Sequence, residues 1–171
     1  KGKFANKSLL VWTTTPWTLP SNLALAVSKK DVYVAKKSDK LGFLANFIIA
    51  ESCDKLSEII GDDNVAACRG QDLINKSYEP LFPYFKDHKN SFKILDGSDF
   101  IEEGSGTGVV HLAPGFGEDD QRVCEAAGIE LVCPVDEAGL FEQLPVTSYQ
   151  LPGKEKEELV LTGRQVFDTN V

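Results

Sequence analysis

Short runs of apolar and β-branched residues recur along most of the chain, separated by glycine, proline and polar turns. Runs of this length and composition are typical of β-strands. They predict eight strands: Ser8–Thr13, Asn22–Val27, Val32–Lys37, Gly42–Ala50, Asn64–Cys68, Phe92–Leu95, Phe100–Ile101 and Gly108–Leu112. The proline-punctuated stretch from Thr14 to Pro20 interrupts the pattern after the first strand.

Three segments have the spacing or the charge of helices instead: Glu51–Ile60, Glu118–Ala127 and Lys154–Leu161. The first two end at glycines, and the second begins with three acids, which favour a helix start. The segment Tyr78–Phe85 is aromatic and proline-rich, which predicts an extended, packed conformation. Many short strands with few helices predict an α+β fold, in which a β-barrel-like core of short strands carries a few peripheral helices.

The length of 171 residues suits one domain with its own core. The chain contains no methionine, so we expect residues 1–171 to form a single domain excised from a larger protein. No apolar run approaches the ~20 residues of a membrane helix, and no secretory segment is visible. The four cysteines form no C-x-x-C pair and, with two histidines, no zinc-like spacing. These features predict a cytoplasmic protein with reduced thiols and no metal site.

The net charge of −8 disfavours a module that grips duplex phosphates over a broad face. It leaves open a site for a single-stranded nucleic-acid end, which needs only a few local cations.

The segment Val11–Asn22 contains two tryptophans and concentrates polar groups. Four threonine hydroxyls and one amide come from Thr13, Thr14, Thr15, Thr18 and Asn22. Pro16 and Pro20 restrict the backbone, so that the side chains point in fixed directions. Threonine hydroxyls both donate and accept hydrogen bonds, which suits a site that holds an ordered water next to an ester. The alternative interpretation is a β-strand that runs into a proline turn, where threonine is common.

The segment Gly104–Asp120 joins two glycine-rich loops through a strand that contains His111. Glycines permit a close approach between backbone and ligand. The three acids that follow stabilise a helix start through its dipole, and one of them is available to face a cationic ligand group. His111 is either a site residue or a hydrogen-bonded imidazole of the core. The loop lacks the G-K-[ST] ending of a P-loop.

A hydrolase with a side-chain nucleophile is not indicated. The sequence contains no G-x-S-x-G elbow and no recognisable setting for a catalytic cysteine, and its only histidines are His88 and His111. If this chain hydrolyses a substrate, the expected nucleophile is therefore a positioned water.

Taken together, W-T-T-T-P-W-T-L-P-x-N and G-T-G-x-V-H-x-A-P resemble the editing domain inserted into the class I synthetases for isoleucine, valine and leucine. The resemblance covers most of the chain, through Tyr78–Phe85 and on to Val166–Asn170. The valine and leucine relatives carry arginine in place of Thr15 and lack the histidine at 111, so both positions point to isoleucine. Phe116 stands where bacterial members often have histidine, which resembles the eukaryotic and archaeal type.

The resemblance implies hydrolysis of valine misjoined to the isoleucine tRNA, and of valyl-adenylate, by a bound water. One missing methylene changes the discrimination by a hydrophobic pocket by only ~1–3 kcal/mol. The rejection of valine by an isoleucine site is the standard example of this limit. Asp120 matches the residue that holds the α-ammonium, and His111 the residue that excludes the larger side chain. The resemblance assigns the catalytic group as Asp120, Thr14 and Thr15. It assigns the substrate-binding group as His111, Thr13, Thr18, Asn22, Trp17, Gly108, Ala113, Pro114 and Gly115, with Trp17 expected to shape the threonine segment.

The resemblance also implies partners: the 3′ end of the isoleucine tRNA carrying misactivated valine, and the rest of the parent synthetase. No cofactor is expected in this domain, whereas the parent would use ATP and Mg²⁺. Two alternatives stay open. One is the editing domain of the valyl or leucyl relative, and the other is a non-catalytic insert that binds the tRNA 3′ end.

Overall fold

A computed structural model describes residues 4, 6–39, 45–82, 84–142, 144, 147–149, 157–159 and 164–165. The chain divides into two compact units. Unit 1 comprises Lys1–Trp12, Ala26–Lys76 and Ile94–Val110, and unit 2 comprises Thr13–Leu25, Ser77–Lys93 and His111–Val171. The expectation that residues 1–171 act as a single domain stays a prediction. Parts of the sequence predictions, at residues 42–44, 154–156, 160–161 and 166–170, lie outside the described residues.

The described strands are β1 (Ser8–Leu9), β2 (Ala24–Val27), β3 (Val32–Ser38), β4 (Ala45–Ala50), β5 (Asn64–Arg69), β6 (Lys93–Asp96), β7 (Val109–Leu112), β8 (Thr147–Tyr149) and β9 (Glu157–Leu159). The α-helices are α1 (Ser57–Ile60) and α2 (Glu118–Ala126), and 3-10 helices span Pro16–Ser21, Asp54–Leu56 and Gly70–Asp72. The α+β class predicted from the strand-rich pattern is therefore confirmed.

The strands form three sheets. The four-stranded sheet has the order β1-β4-β3-β5, the three-stranded sheet β6-β2-β7, and β8 pairs with β9. In the first sheet β1 runs parallel to β4, whereas β3 runs antiparallel to β4 and to β5. The register between β3 and β5 shifts at Ala35 and Lys36, as a β-bulge does.

In unit 1, Tyr33 on β3 is fully buried, and its hydroxyl reaches the backbone just before β7. Its hydroxyl donates to the carbonyl of Gly108 at 2.7 Å and accepts from the Ser28 N–H at 2.9 Å. Gly108 has a φ of +69°, and a Cβ there would lie 2.3 Å from the Cβ of Ala50. Only glycine fits this position, because both the backbone conformation and the packing exclude a side chain.

In unit 2, the described apolar core gathers around Phe141, which is 2% exposed. Four partly buried side chains pack against it: Trp17, Tyr84, Val135 and Leu144. The Tyr78 ring meets the Phe92 ring edge to face, with centroids 5.8 Å apart. The proline-rich segment thus contributes packed aromatic rings, as its composition predicts.

Several predicted elements are wrong or too long. The strand predicted over Ser8–Thr13 covers only β1. The predicted strand Phe100–Ile101 lies in a turn, because both of its N–H groups bond to the carbonyl of Gly97. Within Glu51–Ile60, helical structure begins only at Asp54 and is 3-10 in its first turn.

The helix predicted over Lys154–Leu161 is also wrong, because Glu157–Leu159 forms β9 and pairs antiparallel with β8. An eight-residue charged segment has little helix stability of its own, so a strand partner decides its structure.

No helix in the described part of the chain is long and apolar enough to cross a bilayer. The four cysteines are in the thiol form.

Candidate functional site

The threonine segment is shaped by its prolines. Pro16 begins the 3-10 helix Pro16–Ser21, where its fixed φ suits a first helical position and its missing N–H costs nothing. Thr15 precedes the helix in a non-helical conformation, with φ −126° and ψ 64°. The carbonyl of Thr15 accepts from the N–H of Thr18 at 3.0 Å and from the Thr18 hydroxyl at 2.8 Å. The helix therefore turns the side chains of Thr15 and Thr18 toward each other.

Three of the four threonines form a line of hydroxyls. The hydroxyl oxygen of Thr13 accepts from the N–H of Thr15 at 3.1 Å, and the two hydroxyls are 3.4 Å apart. The hydroxyls of Thr15 and Thr18 are 3.5 Å apart. Thr13 is half-buried, Thr15 is exposed and Thr18 is buried. Between Thr15 and Thr18 the line therefore passes from solvent into the protein.

The buried end of this line meets His111. Thr18 Oγ1 and His111 Nε2 are 3.0 Å apart, which joins the two motifs that the sequence singled out. His111 lies on β7 and is 8% exposed. Burial lowers the pKa of its imidazole to about 4, because the apolar surroundings disfavour the charged form. The ring is therefore neutral at pH 7.

Asp120 lies in the first turn of α2 and reaches back to the start of the loop between β7 and α2. Its Oδ2 accepts from the N–H of Ala113 at 2.8 Å. Burial raises the pKa of the Asp120 carboxyl, the Ala113 bond opposes that rise, and the neighbouring Asp119 adds to it. Asp119 is exposed and pairs with Arg122 at 2.9 Å. Of the two aspartates, only Asp120 is partly desolvated and tied to the loop, so the two have different environments despite being adjacent in sequence.

Trp17 connects the threonine segment to the second glycine loop. Its ring meets Phe116 edge to face, with centroids 5.5 Å apart and an interplanar angle of 77°. It also packs on Phe141. These contacts pack the 3-10 helix against the loop that precedes α2.

Asn22 makes its hydrogen bonds inside unit 2. Its Nδ2 donates to the carbonyl of Ala24 at 2.7 Å and to that of Leu112 at 3.5 Å, while its Oδ1 accepts from the Tyr78 hydroxyl. Both ends of the amide are thus engaged, so we expect Asn22 to act by fixing the backbone. Sequence reasoning missed Tyr78 as its partner, and the only available signal was the aromatic character of the segment Tyr78–Phe85.

The loop after β7 is packed by protein. Pro114 is fully buried, and Ala113 is 1% exposed. A Cβ at Gly115 would lie 2.5 Å from the carbonyl oxygen of Val132. The glycine thus permits a close approach between two protein segments. The structure gives Gly115, like Gly108 in unit 1, an internal reason to lack a side chain.

The structure brings together the hydroxyls of Thr13, Thr15 and Thr18 with the imidazole of His111, and separately links Asp120 to Ala113. Thr14 is exposed and makes no hydrogen bond with the described residues. In that same part of the chain, no group of three or more histidine, cysteine or acidic side chains is placed to hold a metal ion. Such an arrangement offers fixed polar groups and a neutral imidazole.

Comparison with known proteins identifies the origin of this segment. The chain is 48% identical over 170 residues to an isoleucine–tRNA ligase of Rickettsia peacockii (strain Rustic), covering 99% of this chain and 14% of the relative. It is 50% identical over 163 residues to the isoleucine–tRNA ligase of Rickettsia bellii (strain OSU 85-389), and the match covers 95% of this chain and 13% of the relative. The chain therefore spans about one seventh of the length of the curated relatives it matches. No protein-family model matches it.

Two solved structures with a similar fold are GlLeuRS-CP1 and a leucyl-tRNA synthetase editing domain. GlLeuRS-CP1 matches with a TM-score of 0.54 at 22% identity, over 72% of this chain and 50% of that one. The P. falciparum cytosolic leucyl-tRNA synthetase editing domain matches with a TM-score of 0.57 at 16% identity, over 71% of this chain and 47% of that one. At these identities the likeness establishes the fold alone. With the sequence relatives, it shows that this chain belongs to the isoleucine–tRNA ligase family, as the segment that has the fold of a synthetase editing domain.

Proposed function

We propose that this domain hydrolyses the ester between valine and the isoleucine tRNA, with valyl-adenylate as a second substrate and a bound water as nucleophile. The observation that carries the proposal is the hydrogen bond of 3.0 Å between Thr18 and His111, which assembles the hydroxyl-rich segment and the histidine strand into one site. A synthetase that must reject valine in favour of isoleucine needs such a second site, because the missing methylene changes binding at the first site by only ~1–3 kcal/mol.

Asp120 is the proposed anchor of the α-ammonium group. Its Oδ2 is held by the N–H of Ala113, so the carboxyl group is fixed before a ligand arrives. An ammonium beside it would favour the ionised carboxylate and offset the desolvation that raises the pKa of Asp120. Asp119, which pairs with Arg122 in solvent, is not needed for this role.

The exposed hydroxyls of Thr14 and Thr15 are the groups proposed to orient the water and the ester. Threonine suits this task because one hydroxyl donates and accepts at the same time. In the proposed mechanism the water adds to the ester carbonyl, the tRNA ribose oxygen leaves, and a neighbouring ribose hydroxyl assists proton transfer. Backbone N–H groups of the loops are the proposed donors to the developing oxyanion.

His111 is the proposed size limit of the site. Its pKa of about 4 leaves it far from the value that suits a general base near neutral pH. A neutral, buried ring instead provides bulk that excludes the longer side chain of isoleucine. The domain thereby rejects the correct product and accepts the smaller one.

We propose the 3′ end of the isoleucine tRNA and the remainder of the synthetase as partners, because the chain spans only a small part of its relatives. ATP and Mg²⁺ belong to the synthetic reaction of that parent, outside this chain. A cytoplasmic location is part of the same proposal.

The deciding experiment measures deacylation of Val-tRNA(Ile), Ile-tRNA(Ile) and Thr-tRNA(Val) by the full-length synthetase that contains this segment. We expect hydrolysis of the first substrate and protection of the second. Preference for Thr-tRNA(Val) would favour the valyl relative. Binding of the tRNA end without hydrolysis of any substrate would favour a non-catalytic insert.

A further inference from the structure

Thr18 lies between the threonine segment and His111. Besides the Thr15 hydroxyl at 3.5 Å, its own hydroxyl has two closer polar neighbours, which differ in whether they can donate a hydrogen bond. The carbonyl of Thr15, at 2.8 Å, can only accept a hydrogen bond. The Nε2 of His111, at 3.0 Å, either donates or accepts, depending on where the ring carries its proton.

The hydrogen bonds of the Thr18 hydroxyl favour one tautomer of the ring. The hydroxyl has one hydrogen, and its shorter contact is the one to the Thr15 carbonyl, which can only accept. With that hydrogen so engaged, Thr18 Oγ1 accepts from His111, and Nε2 carries the ring proton. Nδ1 of His111 is then unprotonated. It is buried, and it has no hydrogen-bond partner among the residues the structure describes.

We propose that Thr18 is a positioning residue that holds His111 in one tautomer and one ring orientation, and that it thereby sets the size limit of the editing site. The inference rests on the proposed function, since only an editing site needs that limit. The His111 ring can limit the size of the substrate side chain only if it stays in one position. A neutral ring held only by packing can flip between two orientations, whereas a ring that donates Nε2–H to a fixed acceptor cannot do so without breaking that bond.

The acceptor itself is fixed. Thr18 lies in the 3-10 helix Pro16–Ser21, its N–H and its hydroxyl both bond to Thr15, and it is only 4% exposed. A second buried hydroxyl of the same helix, that of Ser21, has no partner in the described part of the chain. Ser21 is therefore a matched control: its replacement removes a buried hydroxyl from the same helix without touching His111.

The first test uses the full-length synthetase and the ratio of deacylation rates for Val-tRNA(Ile) and Ile-tRNA(Ile). We expect Thr18→Val to lower this ratio by roughly 10-fold, within the range of coupled neighbouring residues. Thr18→Ser keeps the hydroxyl and is expected to retain the ratio, as is Ser21→Ala. In the His111→Ala background, Thr18→Val is expected to change the ratio less than about twofold, because its effect passes through the ring.

A role of Thr18 in holding the 3-10 helix alone predicts the opposite pattern. In that case Thr18→Val lowers both rates together, or lowers the ratio by the same factor with and without His111. Either result would overturn the inference. If the wild-type enzyme fails to hydrolyse Val-tRNA(Ile), the proposed function fails, and the size limit assigned to Thr18 falls with it.

The second test reads the ring directly and does not depend on activity. Nitrogen-15 NMR of the labelled 171-residue chain distinguishes the two imidazole tautomers, with His88 as the only other histidine. We expect His111 to carry its proton on Nε2 in the wild type and in Thr18→Ser, and a mixture of tautomers in Thr18→Val. A proton on Nδ1 in the wild type, or an unchanged spectrum in Thr18→Val, would refute the positioning role.

Discussion

Replacing Asp120 separates the charge of this side chain from its structural bond. Its Oδ2 accepts the N–H of Ala113 at 2.8 Å. Asp120→Asn removes the negative charge but leaves a carbonyl oxygen that can accept the same bond. Asp120→Ala removes both, so the N–H of the buried residue Ala113 loses its partner.

The expected magnitudes follow from these environments. Removing one partner of a buried, hydrogen-bonded charge pair costs about 2–5 kcal/mol. Asp120 is only partly buried, so we take about 2–3 kcal/mol for its pair with the substrate ammonium. That corresponds to a fall of roughly 30- to 150-fold in kcat/KM for Val-tRNA(Ile) with Asp120→Asn. The Ala variant is expected to lose, in addition, about 1–3 kcal/mol of stability through the unpaired N–H.

The assay is single-turnover deacylation of Val-tRNA(Ile) by the full-length synthetase, paired with chemical denaturation of the 171-residue chain. Asp119→Ala is the matched control, because Asp119 is exposed and its pair with Arg122 is worth only about 0–1 kcal/mol. We expect this control to deacylate like the wild type. Full activity of Asp120→Asn would refute the anchoring role, and equal losses at both aspartates would indicate that the acidic turn is structural.

The remaining predictions concern His111 and the loop after β7. His111→Ala is expected to keep most hydrolysis of Val-tRNA(Ile) and to permit hydrolysis of Ile-tRNA(Ile), whereas a valine rate reduced ~100-fold with isoleucine still protected would indicate a general base. Because His111 has a pKa of about 4 when folded against an ordinary 6.5, the folded chain binds fewer protons between these values. Stability should therefore rise with pH across this window, by up to about 3 kcal/mol, and His111→Gln should lack that slope in denaturation curves. Gly115→Ala places a Cβ 2.5 Å from the carbonyl oxygen of Val132, so denaturation should show a loss of about 1–3 kcal/mol, and unchanged stability would contradict the packing role.

Local chemistry in the sequence determined most elements of the fold. The apolar runs of β3 and β5 and the acid-led, glycine-ended α2 lie within a residue or two of where the pattern places them. The two motifs, with Thr15 and His111, also point to the isoleucine family by residue type alone, and the sequence relatives confirm that family.

Tertiary structure decided the segments whose local preferences were weak. Glu157–Leu159 pairs with Thr147–Tyr149 as a strand, and no local signal in its charged sequence indicates that partner. Gly115, assigned to substrate binding by the resemblance, also has a packing role that the sequence does not indicate, because a Cβ there would lie 2.5 Å from the carbonyl oxygen of Val132. Such contacts join residues far apart in sequence, so composition and periodicity contain no record of them.

The residues of the candidate site are also far apart in sequence. The sequence determined which polar groups are present and made His111 equally compatible with a core role and a site role. Ninety-three positions separate Thr18 from His111, and only folding brings their side chains to 3.0 Å. Burial then lowers the pKa of the imidazole to about 4. The sequence determined the residue types. The tertiary structure decided their charge and pairing, because both depend on desolvation and on neighbours that only the folded chain supplies.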